Sequence, residues 1–279
     1  MEHVTLLSGI TLAVEHFGER FDGVPLVVLH GGPSWSHHYL NPGLRSVGEQ
    51  RHVVAPDLRG CGDSSRDLPL GQYQPELAVQ DVIDLIGLMG FEQVDLLGFS
   101  TGGQWVQLLV ERRPELVRRL VLASTTAYVD FDDALKAWPE YRRRRDLPGV
   151  MPETGDDLHR TIAWAHNDAP RAIWNLDRLD EYRDFLNGTT FSGDWLAPFE
   201  QGLLHSHRPA DPEAVLTAFG RPVLILHARQ DMGFPLVVAQ RLHSKVSNSQ
   251  LVVLEDCGHQ APFESPAAWS EAILDFLAG

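Results

Sequence analysis

The residues best suited to chemistry in this chain lie at Gly98-Phe99-Ser100-Thr101-Gly102, where a serine stands between small residues in a G-x-S-x-G pattern. A serine hydroxyl is a weak nucleophile near neutral pH and needs a base to take its proton. Among 13 histidines, His259 is the leading candidate, because Asp256-Cys257-Gly258-His259 directly follows the last expected strand. An imidazole in that role needs a carboxylate to orient it and to stabilise its cation. Asp231 lies just past an apolar run ending at His227 and precedes His259 by one helix and one strand, so it is the expected partner. Asp130, which follows the run 120–124, is its rival, whereas Asp256 is too near His259 along the chain to reach the ring from the correct side. Acyl transfer also needs donors for a developing oxyanion. The backbone N–H of Thr101 is one, and that of Gly32, in His30-Gly31-Gly32-Pro33, is the other, since glycine lets the backbone approach a substrate closely.

These groups must be held by regular elements, and the hydropathy pattern supplies them. Residues 4–14 read as a two-stranded hairpin with Gly9 near its middle. Short apolar runs at 25–30, 52–57, 94–99, 120–124, 222–227 and 250–254 read as buried strands. Helical spacing recurs at 75–89, with Pro75 placed at its start, and at 104–112, 235–246 and 267–277. Strand and helix alternate, which predicts an α/β fold: a mostly parallel eight-stranded sheet with helices on both faces and reactive groups at the strands' carboxyl ends. One interruption occurs. Residues 128–218 show no strand pattern, are rich in Arg, Asp, Trp and His, and read as a helical insertion. The expected organisation is a core of 1–127 and 219–279 and a helical segment of 128–218.

Composition narrows the function. Of 279 residues, 43% are apolar and 22% charged, as in ordinary globular proteins. No apolar run is long enough to cross a bilayer, and the first residues lack the features of a secretory leader, so no membrane association and a cytoplasmic location are expected. A net charge of −15 repels phosphate backbones, which argues against nucleic acid as a partner and leaves a small molecule as the expected substrate. Cys61 and Cys257 are too few for a disulfide scaffold or a multi-thiolate zinc site. His205 and His207 have an H-x-H spacing without acidic partners in a clear pattern, so no metal is expected, and no organic cofactor is implied. Oligomeric state is not legible.

Taken together, His30-Gly31-Gly32-Pro33, the stretch from Asp57 through Arg59-Gly60-Cys61-Gly62 to Ser64, the serine turn, Asp231 and Gly258-His259 resemble the α/β-hydrolase superfamily in content and order. The resemblance spans nearly the whole chain outside the insertion, and it implies that 128–218 forms a cap over the site. His-Gly-Gly-Pro with Asp-x-Arg-Gly-Cys-Gly is similar to proline iminopeptidases, although Thr101 stands where those enzymes usually carry tryptophan and Ser34 where they carry glycine. Gly-Phe-Ser-Thr-Gly-Gly instead resembles esterases and the cofactor-free perhydrolases. A serine nucleophile sets the chain apart from haloalkane dehalogenases and epoxide hydrolases, which use aspartate. The implied activity is cleavage of an ester, lactone or thioester by Ser100, His259 and Asp231 through an acyl-enzyme. The alternatives are release of an amino-terminal proline, or a non-hydrolytic lyase or ligand receptor on the same fold. Trp164, Trp174 and Trp195 are candidate substrate-binding residues, with Trp138 nearby in the chain, and packing of the cap is the competing role for them. Asp177, Asp180, Glu181, Asp184, Asp194 and Glu200 could meet a substrate amine and Arg142 to Arg145 an anion, unless these charges are solvated or paired with one another.

Overall fold

The computed structural model describes residues 1–19 and 21–279. Eight strands, β1 (Glu2–Thr5), β2 (Thr11–Phe17), β3 (Leu26–Leu29), β4 (Val53–Pro56), β5 (Val94–Phe99), β6 (Val117–Ala123), β7 (Val223–Ala228) and β8 (Ser249–Leu254), form one sheet in the order β1-β2-β4-β3-β5-β6-β7-β8. The pairs β1–β2 and β2–β4 are antiparallel and the rest are parallel. This is the mostly parallel eight-stranded sheet that the alternation predicts, and the hairpin runs a few residues beyond 4–14 at both ends.

The continuous apolar runs have a physical cause. Every residue of β3, β4, β5 and β7 is buried, because helices cover both faces of the sheet. Side chains alternate between two cores. Val27, Leu29, Leu96, Leu120, Leu122, Val223 and Ile225 face one. Leu26, Val28, Leu97, Val121, Ala123, Leu224 and Leu226 face the other. The second core is closed by α1 (Asn41–Gly48) and, at the chain's end, by the helix that carries Trp269 and Ile273. The first is closed by α2 (Pro75–Leu88), α3 (Thr101–Arg112) and a helix carrying Val238 and Leu242. The sequence pattern did not predict α1: Pro42 and Gly43 interrupt its short apolar stripe, and packing against Trp269 compensates.

Between β6 and β7 lie α4 (Asp132–Ala137), α5 (Pro139–Arg145), α6 (Asp157–Ala172), α7 (Leu179–Leu186), α8 (Leu196–Glu200) and α9 (Pro212–Phe219). Part of this segment has a small core of its own, with Ala165, Ala169, Tyr182 and Leu186 packed on Phe263. By contrast, α9, which falls mostly inside the expected insertion 128–218, buries Leu216 and Phe219 in the first sheet core beside α3. After β7 come α10 (Leu236–Lys245), α11 (Ala261–Glu264) and α12 (Pro266–Ala278). No helix among the described residues is long and apolar enough to cross a membrane.

The topology decides where chemistry can occur. From β3 the chain passes to β4 on one side and then to β5 on the other, so the direction of winding reverses at β3. A crevice opens at such a reversal, beyond the strands' carboxyl ends. Leu29 pairs with Gly98 there, which sets the loop after β3 beside the turn after β5.

Candidate active site

Ser100 sits between β5 and α3 with φ 55° and ψ −124°, a left-handed conformation that a residue with a side chain adopts only when its surroundings impose it. The surroundings do so. Its N–H donates to the Ala123 carbonyl at 3.0 Å, and its carbonyl accepts from Gly103 N–H at 2.9 Å and Thr125 Oγ1 at 2.6 Å. The flanking glycines are required by space. A Cβ on Gly98 would come within 2.6 Å of Gly103 Cα, and one on Gly102 would come within 2.2 Å of the Leu29 carbonyl oxygen. This crowding also explains why α3 begins at Thr101 and not at residue 104 as the pattern predicts. The Gly102-Gly103 pair is poor helix material, but the tight turn forces it into the first helical turn.

Thr101 is therefore the first residue of α3, so its N–H is one of those a helix leaves without an internal acceptor. Its hydroxyl donates to the Gly32 carbonyl at 2.9 Å, tying the loop after β3 to the turn. Gly31 N–H donates to Tyr39 Oη at 2.6 Å, and a Cβ at this position would lie 2.6 Å from Ser100 Cβ. Gly32 and Thr101 thus stand on one side of the serine with their backbones fixed.

His259 stands on the other side. Its Nε2 is 3.1 Å from Ser100 Oγ, and its Nδ1 donates to Asp231 at 3.0 Å (Oδ1) and 2.9 Å (Oδ2). Phe99 and Phe234 flank the ring. Burial alone would push the imidazole pKa down, but Asp231, with a smaller contribution from Asp168, raises it above the ordinary histidine value. Asp231 is fully buried, which by itself would raise its pKa. The His259 interaction, His227 and the N–H groups of Gly233 (2.7 Å) and Phe234 (2.8 Å) outweigh burial and hold the carboxyl below its usual value. The rival acid, Asp130, is exposed and paired with Arg241 at 3.0 Å. Asp256 is likewise exposed, at φ 54°. A hydroxyl, an imidazole with a buried anion behind it, and two fixed N–H groups can together deprotonate a nucleophile and hold a negative oxygen.

A cavity of about 500 Å³ opens beside the serine on the side of Gly32 and Thr101. Trp164, Trp195, Leu196, Phe199 and Leu204 give it apolar walls, and Arg160, Glu200 and Glu153 add charge. Trp195 is buried and donates its Nε1–H to the Arg59 carbonyl at 2.8 Å, while Trp164 is 54% exposed. Trp174, expected with these two, is not among the lining residues: it stacks on Trp138 and lies under the Arg144 guanidinium. Of the acids considered for a substrate amine, Glu200 lines the cavity, where it pairs with Arg160. Glu181 pairs with Arg178, and Asp194 accepts from Tyr73 Oη at 2.5 Å. The Arg142–Arg145 run is satisfied internally. Arg143 and Arg144 pair with Glu140, Arg145 pairs with Asp146, and Arg142 donates to the Lys136 and Ala137 carbonyls.

Other histidines of the chain have partners of their own. His30 is buried, accepts from Leu58 N–H at 3.0 Å and has a pKa pushed down to about 4, chiefly by burial. His37 bridges Asp57 (2.7 Å) and Glu15 (2.8 Å), and His38 stacks on Phe185. His205 pairs with Glu76, whereas His207 accepts from Trp105 Nε1–H at 3.2 Å and lines the cavity. The two do not share a partner. Among the described residues, the group with metal-ligand character is His16, Glu19 and His52, at the opposite end of the strands from Ser100. There His16 Nδ1 lies 3.1 Å from His52 Nε2 as a hydrogen bond between rings. Gln104, Arg160, Phe199, Leu204 and Asp168 were not singled out by sequence. Their positions follow from chain segments far apart in sequence, and no local pattern marks them.

The alpha/beta hydrolase fold family matches residues 24–266. A 2-hydroxymuconate semialdehyde hydrolase from Pseudomonas sp. (strain CF600) is 29% identical over 92% of this chain and 87% of its own length. A proline iminopeptidase from Lactobacillus delbrueckii subsp. bulgaricus is 31% identical over 93% of this chain and 92% of its own. Among solved structures, a thermophilic esterase from Thermogutta terrifontis superposes with a TM-score of 0.75 at 24% identity, covering 100% of this chain and 98% of that one, which speaks to the shared fold.

Proposed function

The chain belongs to the alpha/beta hydrolase fold family, and from that premise we propose that it is a serine hydrolase that cleaves a carboxylic ester, lactone or thioester through an acyl-enzyme. The observation that carries this reading is the unbroken series of hydrogen bonds from Ser100 Oγ through His259 to buried Asp231. His259 Nε2 takes the Ser100 proton as Oγ attacks the carbonyl carbon. The carbonyl oxygen becomes an anion, held by the N–H groups of Thr101 and Gly32. The imidazolium, stabilised by Asp231, returns the proton to the leaving alkoxide or thiolate, and an acyl-Ser100 remains. Water, deprotonated by His259, then attacks the acyl carbon, and the serine leaves with the proton restored.

The cavity supports this substrate class. Apolar walls that include Trp164, Trp195 and Phe199 suit an uncharged group of small to medium size, since burying such surface contributes roughly 25 cal/mol per Å². In this reading residues 128–218 act as a cap, and Trp164 and Trp195 contact the substrate. A second reading, release of an amino-terminal proline, is favoured by Glu153 and Glu200 on the cavity wall and by the likeness to a proline iminopeptidase. It ranks second because Glu200 is already paired with Arg160 and Glu153 is exposed.

The test is product release from a short-chain aryl ester and a proline arylamide, each assayed with the wild type and Ser100→Ala. Ester cleavage that is lost in the variant, without amide cleavage, is expected. Efficient proline release would replace the ester reading with the aminopeptidase one. Ester turnover undiminished in Ser100→Ala would remove the serine mechanism itself.

A further inference from the structure

The loop that carries His259 is held on the side of β7 by Gln230 N–H, which donates to the Cys257 carbonyl at 3.2 Å. It leaves β8, the last strand of the sheet, passes Glu255 and Asp256, both exposed, and turns at a positive φ of 54° at Asp256. The imidazole nevertheless stands within hydrogen-bonding distance of Ser100. Its backbone is pinned a second time from the turn that follows α6. Gln260 N–H donates to the Ala172 carbonyl at 2.8 Å. The Glu264 carboxylate receives four contacts from three backbone N–H groups. Trp174 N–H donates to both oxygens (2.9 and 3.0 Å), Asn175 N–H to Oε1 (2.9 Å) and Gly258 N–H to Oε2 (2.6 Å). Hydrogen bonds to an ionised acceptor are about twice as strong as neutral ones. The approach is close enough to dictate sequence, because a Cβ on Gly258 would meet Trp174 N at 2.9 Å and the Ala172 carbonyl oxygen at 3.0 Å.

The other side of the turn is fixed as well. Arg144, buried and paired with Glu140, donates to the carbonyls of Pro170 (2.8 Å), Ile173 (2.7 Å) and Trp174 (2.8 Å). One guanidinium therefore holds the carbonyls of the turn and one carboxylate holds its N–H groups. The Trp174 N–H that meets Glu264 also leads directly, through that carboxylate, to the peptide preceding His259.

We propose that Glu264 is a positioning residue for His259: its carboxylate fastens the turn at 172–175 to Gly258 and so keeps Nε2 at hydrogen-bonding distance from Ser100. Placement of the base and placement of the helical segment over the cavity then form one mechanical unit. The inference rests on the serine-hydrolase reading above.

The experiment uses the full chain and a short-chain aryl ester, with kcat expressed per site titrated by an aryl phosphonate. Glu264→Gln, which keeps the shape but turns a donor toward the N–H groups, should lower kcat roughly 10- to 100-fold, the range expected of an ångström-scale misplacement. KM should change less, within about threefold, because Glu264 is not among the residues that line the cavity. Asn175→Pro supplies a second route that leaves Glu264 in place. The native φ of −79° at this exposed position suits proline, which removes one donor to the carboxylate. Its kcat should fall roughly threefold to tenfold relative to Asn175→Ala, which keeps the N–H. A Glu264→Gln protein with a lowered melting temperature but unchanged kcat per titrated site would overturn the proposal, as would identical kcat for the two Asn175 variants. Ser100→Ala separates the two readings. Activity surviving in it sinks the serine mechanism, whereas its loss combined with full activity in Glu264→Gln sinks only the positioning role.

Discussion

The sheet beneath Ser100 and the helical segment beside it are held by different forces. The serine turn is wedged between strands whose residues are buried on both faces, and its tolerances are set by contacts under 3 Å that only glycine permits. The helical segment has a small apolar cluster, sends Trp195 and Leu216 into the first sheet core, and is also joined to the rest of the chain by polar bonds. Ser192 Oγ donates to the Gly60 carbonyl, Trp195 Nε1 to the Arg59 carbonyl, Asp194 accepts from Tyr73, and Glu264 accepts from Trp174 and Asn175. Close packing allows almost no displacement, whereas a hydrogen-bonded junction can be re-cut one residue at a time. The groups proposed for chemistry lie on the packed side and most of the cavity wall lies on the hydrogen-bonded side. Changes to the first should act on kcat or on folding and changes to the second on KM, except at Glu264, where the hydrogen-bonded junction reaches the loop of His259 and a change acts on kcat.

The largest test of that division is Asp231→Asn, on the packed side. Loss of the buried anion behind His259 should lower kcat roughly 10⁴-fold. Asp130→Asn, at an exposed ion pair, should leave kcat within about twofold. Steady-state assays on the two variants decide it, and comparable losses would reassign the acid.

Next in size is a pH effect on stability that belongs to the packed side alone. Burial would lower the His37 pKa, but its hydrogen bonds to Asp57 and Glu15 prevail and raise it from 6.5 to about 9. Below pH 6.5 both folded and unfolded chains hold this proton and the stabilisation is complete. Between there and about 9 only the folded chain holds it, so stability falls as pH rises, and above that the contribution is gone. The total is about 3 kcal/mol. Urea unfolding at pH 6 and pH 10 should show this loss in the wild type and a smaller one in His37→Gln. Equal losses in both would remove His37 from the account.

On the hydrogen-bonded side, Trp164→Ala removes a half-exposed wall of the cavity. It should raise KM roughly 5- to 20-fold with kcat nearly unchanged. A kcat loss without a KM change would mean that this segment takes part in the chemical step. The smallest effect concerns the seam between the two regions. Asp168, half-buried on α6 and paired with Arg171, carries a carboxyl raised by burial and adds to the raising of the His259 pKa. Because His259 must be neutral to act as base, activity falls as pH drops through its folded pKa. Asp168→Asn should therefore move the acid limb of kcat/KM to lower pH. A limb that stays in place would show that Asp168 does not act on the base.

Much of this was legible along the chain. The strand runs stood out because burial on both faces leaves no room for polar residues, and the serine turn stood out because its crowding admits only glycine at 98 and 102. Ser100, Asp231 and His259, which the structure brings together, stand out in the sequence because each immediately follows, or closely trails, a strand that ends at the same edge. The start of α3 is not legible locally, since a glycine pair argues against helix while the turn demands one. Trp174 looks the same as Trp164 and Trp195 in the sequence, because composition does not distinguish a cavity wall from a stacked ring. Glu264 has no signature in the sequence, because a lone carboxylate on a short helix carries no pattern.

What the sequence determined by itself was therefore whatever repeats or constrains over a few neighbouring residues: the alternation of strand and helix, the tight turn at Ser100, and the order of the groups around it. Tertiary structure alone decided that Asp231 and not Asp130 meets His259, that α9 packs into the sheet core, that the Arg142–Arg145 run is consumed internally, and that Glu264 joins residues 174 and 258. Those outcomes depend on distances between segments tens of residues apart. Such distances are set by the packing of whole elements, and no local window of the chain encodes them.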